Sequence, residues 1–312
     1  LIKSTNALGW AYKLRGDLEQ AIEHYRKARR LYHETNEQKQ NRLKKDFGLI
    51  LNNMASALSE NKDTRNAAIN VVNTAIIHWK DIEDEIGLGR GYQAQGICYH
   101  RTDHSKQALD AFEKALDNLE PLKLNDDIAR TLSWRGIQYH NIRRDREAKR
   151  DLKRSLEIGP DLIKAMSLNR LGRVYMHYKD WDIAQKYMED SLAKAKERPD
   201  FKYWLMSVSR LIHIAAKKNE AQRLNYFREQ LDNCLNEIKL PEKPDRNAEG
   251  IAYLGLAKLA FLQNSRNNIP LIVNWLEKGI PYIVSYGSVA RTDIVTRLDN
   301  IEDDFDKTDD II

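Results

Sequence analysis

Small and large apolar positions recur along this chain in one order. Leu8, Gly9 and Tyr12 are followed by Gly16, then by Ala21, Tyr25 and Ala28. The order returns as Gly96, Tyr99, Ala108, Phe112 and Ala115, and as Gly136, Tyr139, Ala148, Leu152, Ser155 and Pro160. A further copy reads Leu171, Gly172, Tyr175, Ala184, Met188 and Ser191, and weaker copies centre on Ala55, Ile212 and Ala257. Positions three and four apart share a helical face, so each copy predicts a pair of helices. The Gly or Ala on the first helix lets the second cross closely, and the Tyr beside it fills the space along the crossing. Gly16-Asp17 and Lys179-Asp180 are expected to end the first helix and cap the next. One such pair cannot bury its own apolar face, so the copies must stack into a continuous core.

The helix pairs are expected at about 2–35, 44–81, 86–120, 126–158, 162–197, 201–238 and 247–285. Leu240-Pro241-Glu242-Lys243-Pro244 separates two units, because proline cannot continue a helix. Ile294, Val295, Leu298, Ile301 and Phe305 form one apolar stripe, which predicts a capping helix over 288–305. The acidic end, 306–312, reads as a solvated tail. Leu1 already lies inside a helical pattern, so the sequence reads as a piece of a longer protein.

The pattern resembles the tetratricopeptide repeat family, over nearly the whole chain. The implied fold is all-α, a right-handed superhelical solenoid of about seven helix-turn-helix repeats with a C-terminal capping helix. The repeats exceed the usual length of about 34 residues. This long variant resembles the arrays of the maltose-regulon activator and related signal-transducing NTPases, where the repeats form a C-terminal sensor. The implied function is protein or peptide binding, as the sensor or scaffold part of a larger regulator.

Composition narrows the alternatives. Six Trp and 14 Tyr argue for packed structure, whereas 14 Gly and seven Pro are few for an all-β chain. A formal net charge of +5 permits an acidic partner without requiring one. Cys98 and Cys234 have no CxxC spacing, so neither a disulfide framework nor a zinc site is expected and a reducing cytoplasm is the simplest setting. No apolar run reaches the length of a membrane span. His100-Arg101-Thr102-Asp103 has a kinase-loop spelling but falls at a turn between repeat helices, with no glycine-rich phosphate loop. Gly87-Leu88-Gly89-Arg90-Gly91 lacks the Lys-Ser/Thr of a phosphate loop and reads as a break before a repeat helix. No nucleophile elbow or paired-histidine metal motif is present, so the reading is of a binding protein without catalytic residue, metal or cofactor.

In tetratricopeptide arrays the first helix of each pair lines a concave groove, and by the resemblance the residue three before each small anchor faces it. Here those residues are Asn6, Asn52, Gln93, Ser133, Asn169 and Ser209, with Leu254 departing in the seventh copy. Amides and hydroxyls both donate and accept, which suits an extended peptide backbone. Neighbouring registers add Arg130, Arg170, Arg173, His177, Arg210, His213 and Lys217. Several cations on one wall would attract an acidic segment. The alternatives are a wet, polar face without function, a nucleic-acid-binding groove with Trp10 and Trp134 as stacking platforms, or a pocket for a small ligand or peptide pheromone. A second basic run, Arg143 to Arg154, is interspersed with acids and reads as a solvated outer face. Arg173 and Arg210 are both expected to be exposed.

Overall fold

The computed structural model describes residues 1–14, 17–196 and 201–220, with seven further residues between 222 and 230. The expected seventh pair, capping helix and acidic tail lie outside the described residues. First helices of the repeats, here A helices, are α1 (Ile2–Leu14), α4 (Lys44–Glu60), α6 (Glu85–Arg101), α8 (Asn125–Asn141), α10 (Asp161–His177) and α12 (Phe201–Lys217). The B helices are α2 (Leu18–His33), α5 (Arg65–Asp81), α7 (Ser105–Leu119), α9 (Asp145–Ile158) and α11 (Trp181–Lys196). A short extra helix, α3 (Glu37–Arg42), occupies the first link between repeats, where the sequence pattern showed no element. It starts on Asn36, whose side chain accepts from the Lys39 amide at 3.0 Å. No strand is present among the described residues.

Each B helix buries one stripe. In α7 the buried residues are Ala108, Ala111, Phe112, Ala115, Leu116 and Leu119, which is the three-and-four spacing of a single face. Small residues dominate that stripe because the A helix of the same repeat crosses it closely. A Cβ on Gly96 would come within 2.5 Å of the Phe112 ring, and one on Gly9 within 2.7 Å of the Tyr25 ring. The A helices pack on their own B helix, on the preceding B helix and on one another. Successive B helices are held apart by the A helix between them, so the stack bends with the A helices inside. The result is an all-α superhelical solenoid.

The turns close on residues in left-handed conformation. Glu83, Asp103, Lys123, Arg143, Lys179 and Asn219 have φ between 54° and 65°. Each is followed by an amide that bonds back to the last helical turn, as in Asp84 to Trp79 O at 3.0 Å and His104 to Tyr99 O at 3.0 Å. This is the Schellman arrangement, satisfying carbonyls that a helix end would leave unpaired.

One expectation is corrected. The run Gly87 to Gly91 does not break the chain; it lies inside the first turns of α6. Its glycines make room for neighbours. Trp79, 2% exposed, is wedged against Gly48 on one side and Gly87 on the other, where added Cβ atoms would meet its ring at 2.3 and 2.1 Å. Gly89 does the same for Leu119 at 2.7 Å.

Candidate functional site

The polar residues expected in the groove are mostly built into the seam between successive A helices. Asn52, Gln93, Ser133, Asn169 and Ser209 are all buried. Gln93 Nε2 donates to Asp127 O at 3.0 Å and to Thr131 Oγ1 at 2.6 Å, tying α6 to α8. Asn6, half-buried, accepts from Asn53 Nδ2 at 3.1 Å, tying α1 to α4. Asn52 Oδ1 is buried with no hydrogen-bond partner among the described residues.

The seam has a repeating design. Ser155 on α9 donates to Ala129 O at 2.7 Å and lies 2.8 Å from Ser167 on α10. Ser167 donates to Ser133 on α8 at 2.8 Å, and Arg170 Nη1 donates to the same hydroxyl at 2.9 Å. One repeat later Ser191 donates to Ala165 O at 2.8 Å, Ser207 to Ser191 at 2.9 Å and Asn169 Nδ2 to Ser207 at 2.9 Å. Arg210 completes this second copy by donating to Asn169 Oδ1. Each serine hydroxyl of these two copies thereby finds a partner, and the A helices are tied in register.

Burial corrects the expectation for Arg210, which is 2% exposed rather than free on the groove wall. Arg170 is also buried, at 7%. Its guanidinium lies over the Trp134 ring, 4.1 Å from the centroid, and Arg101 approaches the same ring at 6.0 Å. His100 meets Trp134 edge-on at 5.4 Å and holds Gln138 Oε1 at 2.5 Å. Trp134 is thus a platform for protein cations. Sequence reasoning offered it only as a surface for stacked bases, because the residue facing it stands 36 positions away.

The remaining candidates spread outward from this cluster. Arg173 is half-buried one turn beyond Arg170, and Arg130 is exposed one turn before Trp134. Neither has an ion pair or hydrogen bond among the described residues. His177 is exposed, bonds to Arg143 and packs on His140 with centroids 5.7 Å apart. His213 and Lys217, both half-buried, sit one repeat further on, His213 against Trp181 at 5.9 Å.

Electrostatics at the centre are set by burial. Desolvation pushes His100 down to about 3, and the charges of Arg170, Arg101 and Arg173 push the same way, so the ring is neutral at pH 7. Desolvation likewise lowers Arg170 to about 10; Tyr203 opposes this, and Arg173 and Arg101 add repulsion. His140 is lowered first by burial and next by Arg173, against the opposing bond to Asp145 at 2.6 Å. Burial would raise Asp145, but bonds from Tyr178 at 2.6 Å and His140 outweigh it and hold the carboxyl low.

The outer basic run is differently arranged. Arg144 pairs with Glu147 at 2.7 Å, Arg154 with Glu120 at 2.7 Å, and Arg150 and Arg135 share Asp151 at 3.4 and 2.6 Å. Lys149 rests over Tyr175 and Tyr178 at 4.7 and 5.1 Å. Arg146 and Lys153 are left exposed there. No group of three or more His, Cys, Asp or Glu comes together among the described residues, and none of their helices is long and apolar enough to cross a membrane.

Comparison with known proteins agrees with this architecture. Residues 1–40 match the family described as tetratricopeptide repeat. No curated protein matches the chain. Among solved structures, the fold is similar to the Rap conjugation gene regulator of plasmid pLS20 in complex with the Phr* peptide. That pair is 14% identical, with 90% of this chain and 73% of that chain covered and a TM-score of 0.65. It is similar to the apo form of RapI, 17% identical over 90% and 97% of the two chains, TM-score 0.61. It is also similar to the apo quorum sensor NprR from B. thuringiensis, 15% identical over 95% and 86%, TM-score 0.59. The chain thus opens on a match to a tetratricopeptide repeat, and the helix pairs stacked after it share the fold of these repeat proteins.

Proposed function

We propose that the chain binds a protein or peptide on the face that its A helices turn inward. The observation that carries this reading is an imbalance of charge pairing. On α8 and α10 the cations Arg130, Arg170 and Arg173 have no carboxylate partner among the described residues, whereas Arg144, Arg150 and Arg154 of the outer run are matched by acids. A partner with acidic character would meet that unmatched potential. The similarity in fold to a Rap regulator seen with a Phr* peptide supports a peptide as the ligand class. The wider setting proposed is the sensor or scaffold part of a larger cytoplasmic signalling or regulatory protein, with an NTPase module as the partner domain. Nucleic acid is the weaker reading, since the Trp134 face that a base would need carries Arg170.

The test is selection of a randomised displayed-peptide library on the immobilised 312-residue chain, followed by titration of charge-reversal variants. Arg130→Glu and Arg173→Glu are expected to weaken the selected peptides at least tenfold, and Arg146→Glu on the outer face less than twofold. Arg210→Glu is unsuitable, because a buried cation would be replaced by a buried anion. Failure to enrich any peptide, or loss confined to Arg146→Glu, would overturn the reading.

A further inference from the structure

Arg170 is a buried guanidinium without a counter-ion among the described residues. Among the described residues only its Nη1 is hydrogen-bonded, to the neutral Ser133 hydroxyl at 2.9 Å. It lies over Trp134, 4.1 Å from the ring centroid, and the titratable groups felt around it are Tyr203 and two more arginines, Arg173 and Arg101. Arg101 is matched by Glu60 at 3.4 Å on α4, away from α10. Arg173, half-buried and one helical turn on, has no partner among the described residues. The nearby histidine His100 is spent on Gln138 at 2.5 Å. Buried charge is ordinarily paired, and a cation clustered with like charges is costly to keep unless something anionic joins it. A guanidinium held over an indole still offers a fork of N–H donors that matches the two oxygens of a carboxylate.

We propose that Arg170 and Arg173, carried on the Trp134 ring, form the seat for a carboxylate of the bound peptide. This rests on the peptide-binding reading above and adds the group recognised and where it sits. The carboxylate can come from an acidic side chain or from a peptide C-terminus. Either would accept from Arg170 and Arg173 together and neutralise the inner wall between α8 and α10. Trp134 sets the guanidinium plane and so acts as a positioning residue.

The experiment uses three pools of N-terminally biotinylated heptapeptides on a sensor surface with the whole chain as analyte. The first has a free C-terminus and no acidic residue. The second is amidated and carries Asp and Glu, and the third is amidated and acid-free. At least one carboxylate-bearing pool is expected to bind tenfold or more tighter than the third, and which one identifies the source. Arg173→Gln should erase that preference to within twofold. Arg170→Gln should do the same, with its fold verified by a helical melt; if it unfolds, Arg173→Gln alone decides. Equal binding of all three pools overturns the seat but leaves peptide binding standing. A preference that survives in Arg173→Gln also overturns the seat. No binding by any pool overturns the peptide reading and the seat with it.

Discussion

His100 shows how one buried side chain couples the inner face to solution conditions. Its ring is enclosed and sits among arginines, so the folded chain holds it neutral down to about pH 3. The unfolded chain would protonate it near the ordinary value of about 6.5. Between those values the unfolded state binds more protons, so stability falls as pH falls below about 6.5. From pH 6.5 to 5 the expected loss from this group is on the order of 2 kcal/mol. His140 is also lowered and adds to it in the same direction. Urea titrations at pH 7 and 5 check this: the wild type should lose stability in acid, and His100→Gln should lose measurably less. A second residue-scale feature is the left-handed turn on non-glycine side chains. Lys123, exposed and at φ 54°, makes no ion pair among the described residues. Lys123→Gly relieves steric cost there but loosens the unfolded chain, and the expected net gain is about 0.5–1 kcal/mol in a denaturant melt. The sequence placed turns at Asp103 and Lys179, but the left-handed conformation was hidden because glycine, its usual marker, is absent from all six.

At the scale of the helix pair, the Gly–Tyr–Ala order was legible because it encodes a close crossing directly. Gly96 on Phe112 and Gly136 on Leu152 show why a small residue must face a large one there. Glycine was misread only in the run Gly87 to Gly91. There the usual helix-breaking tendency is outweighed by Trp79, whose ring needs the space of two missing side chains. The two kinds of helix glycine should respond differently to alanine. A methyl at Gly87 meets the rigid Trp79 ring at 2.1 Å, whereas at Gly172 it meets the flexible Met188 end, with Cε at 2.5 Å. Alanine raises helix propensity by up to about 1 kcal/mol at either site. Gly172→Ala is therefore expected to lie within about 1 kcal/mol of wild type, and Gly87→Ala to be destabilised by about 1–3 kcal/mol through overpacking. Paired thermal melts decide it, and equal effects would place the Trp79 wedge elsewhere. For the polar registers, sequence located Ser133, Asn169 and Ser209 on the A helices but not their depth. Whether a hydroxyl at that position meets water or the next A helix depends on how closely consecutive A helices approach, which a single repeat does not encode. The Ser155–Ser167–Ser133 chain exists only because three helices from two repeats converge.

At the scale of the whole molecule, the alternation of A and B helices produces two unlike surfaces from similar compositions. Inside, hydroxyls and amides of consecutive A helices bond to one another, and Arg170 over Trp134 lacks an acid among the described residues. Outside, α9 carries its basic residues among Glu147, Asp151 and Glu120. That division is the ground for proposing the inner wall of α8 and α10 as the binding surface and the outer wall as a solvated face. Direct mapping of contact is the sharpest check. The chain is incubated with a photo-reactive heptapeptide pool bearing carboxylates, irradiated, and digested for mass spectrometry. The account predicts cross-links concentrated on α6, α8 and α10, around Arg130, Trp134 and Arg173, and suppressed by excess unlabelled pool. Cross-links concentrated on α9 around Arg146 and Lys153, with the A helices unmarked, would contradict it.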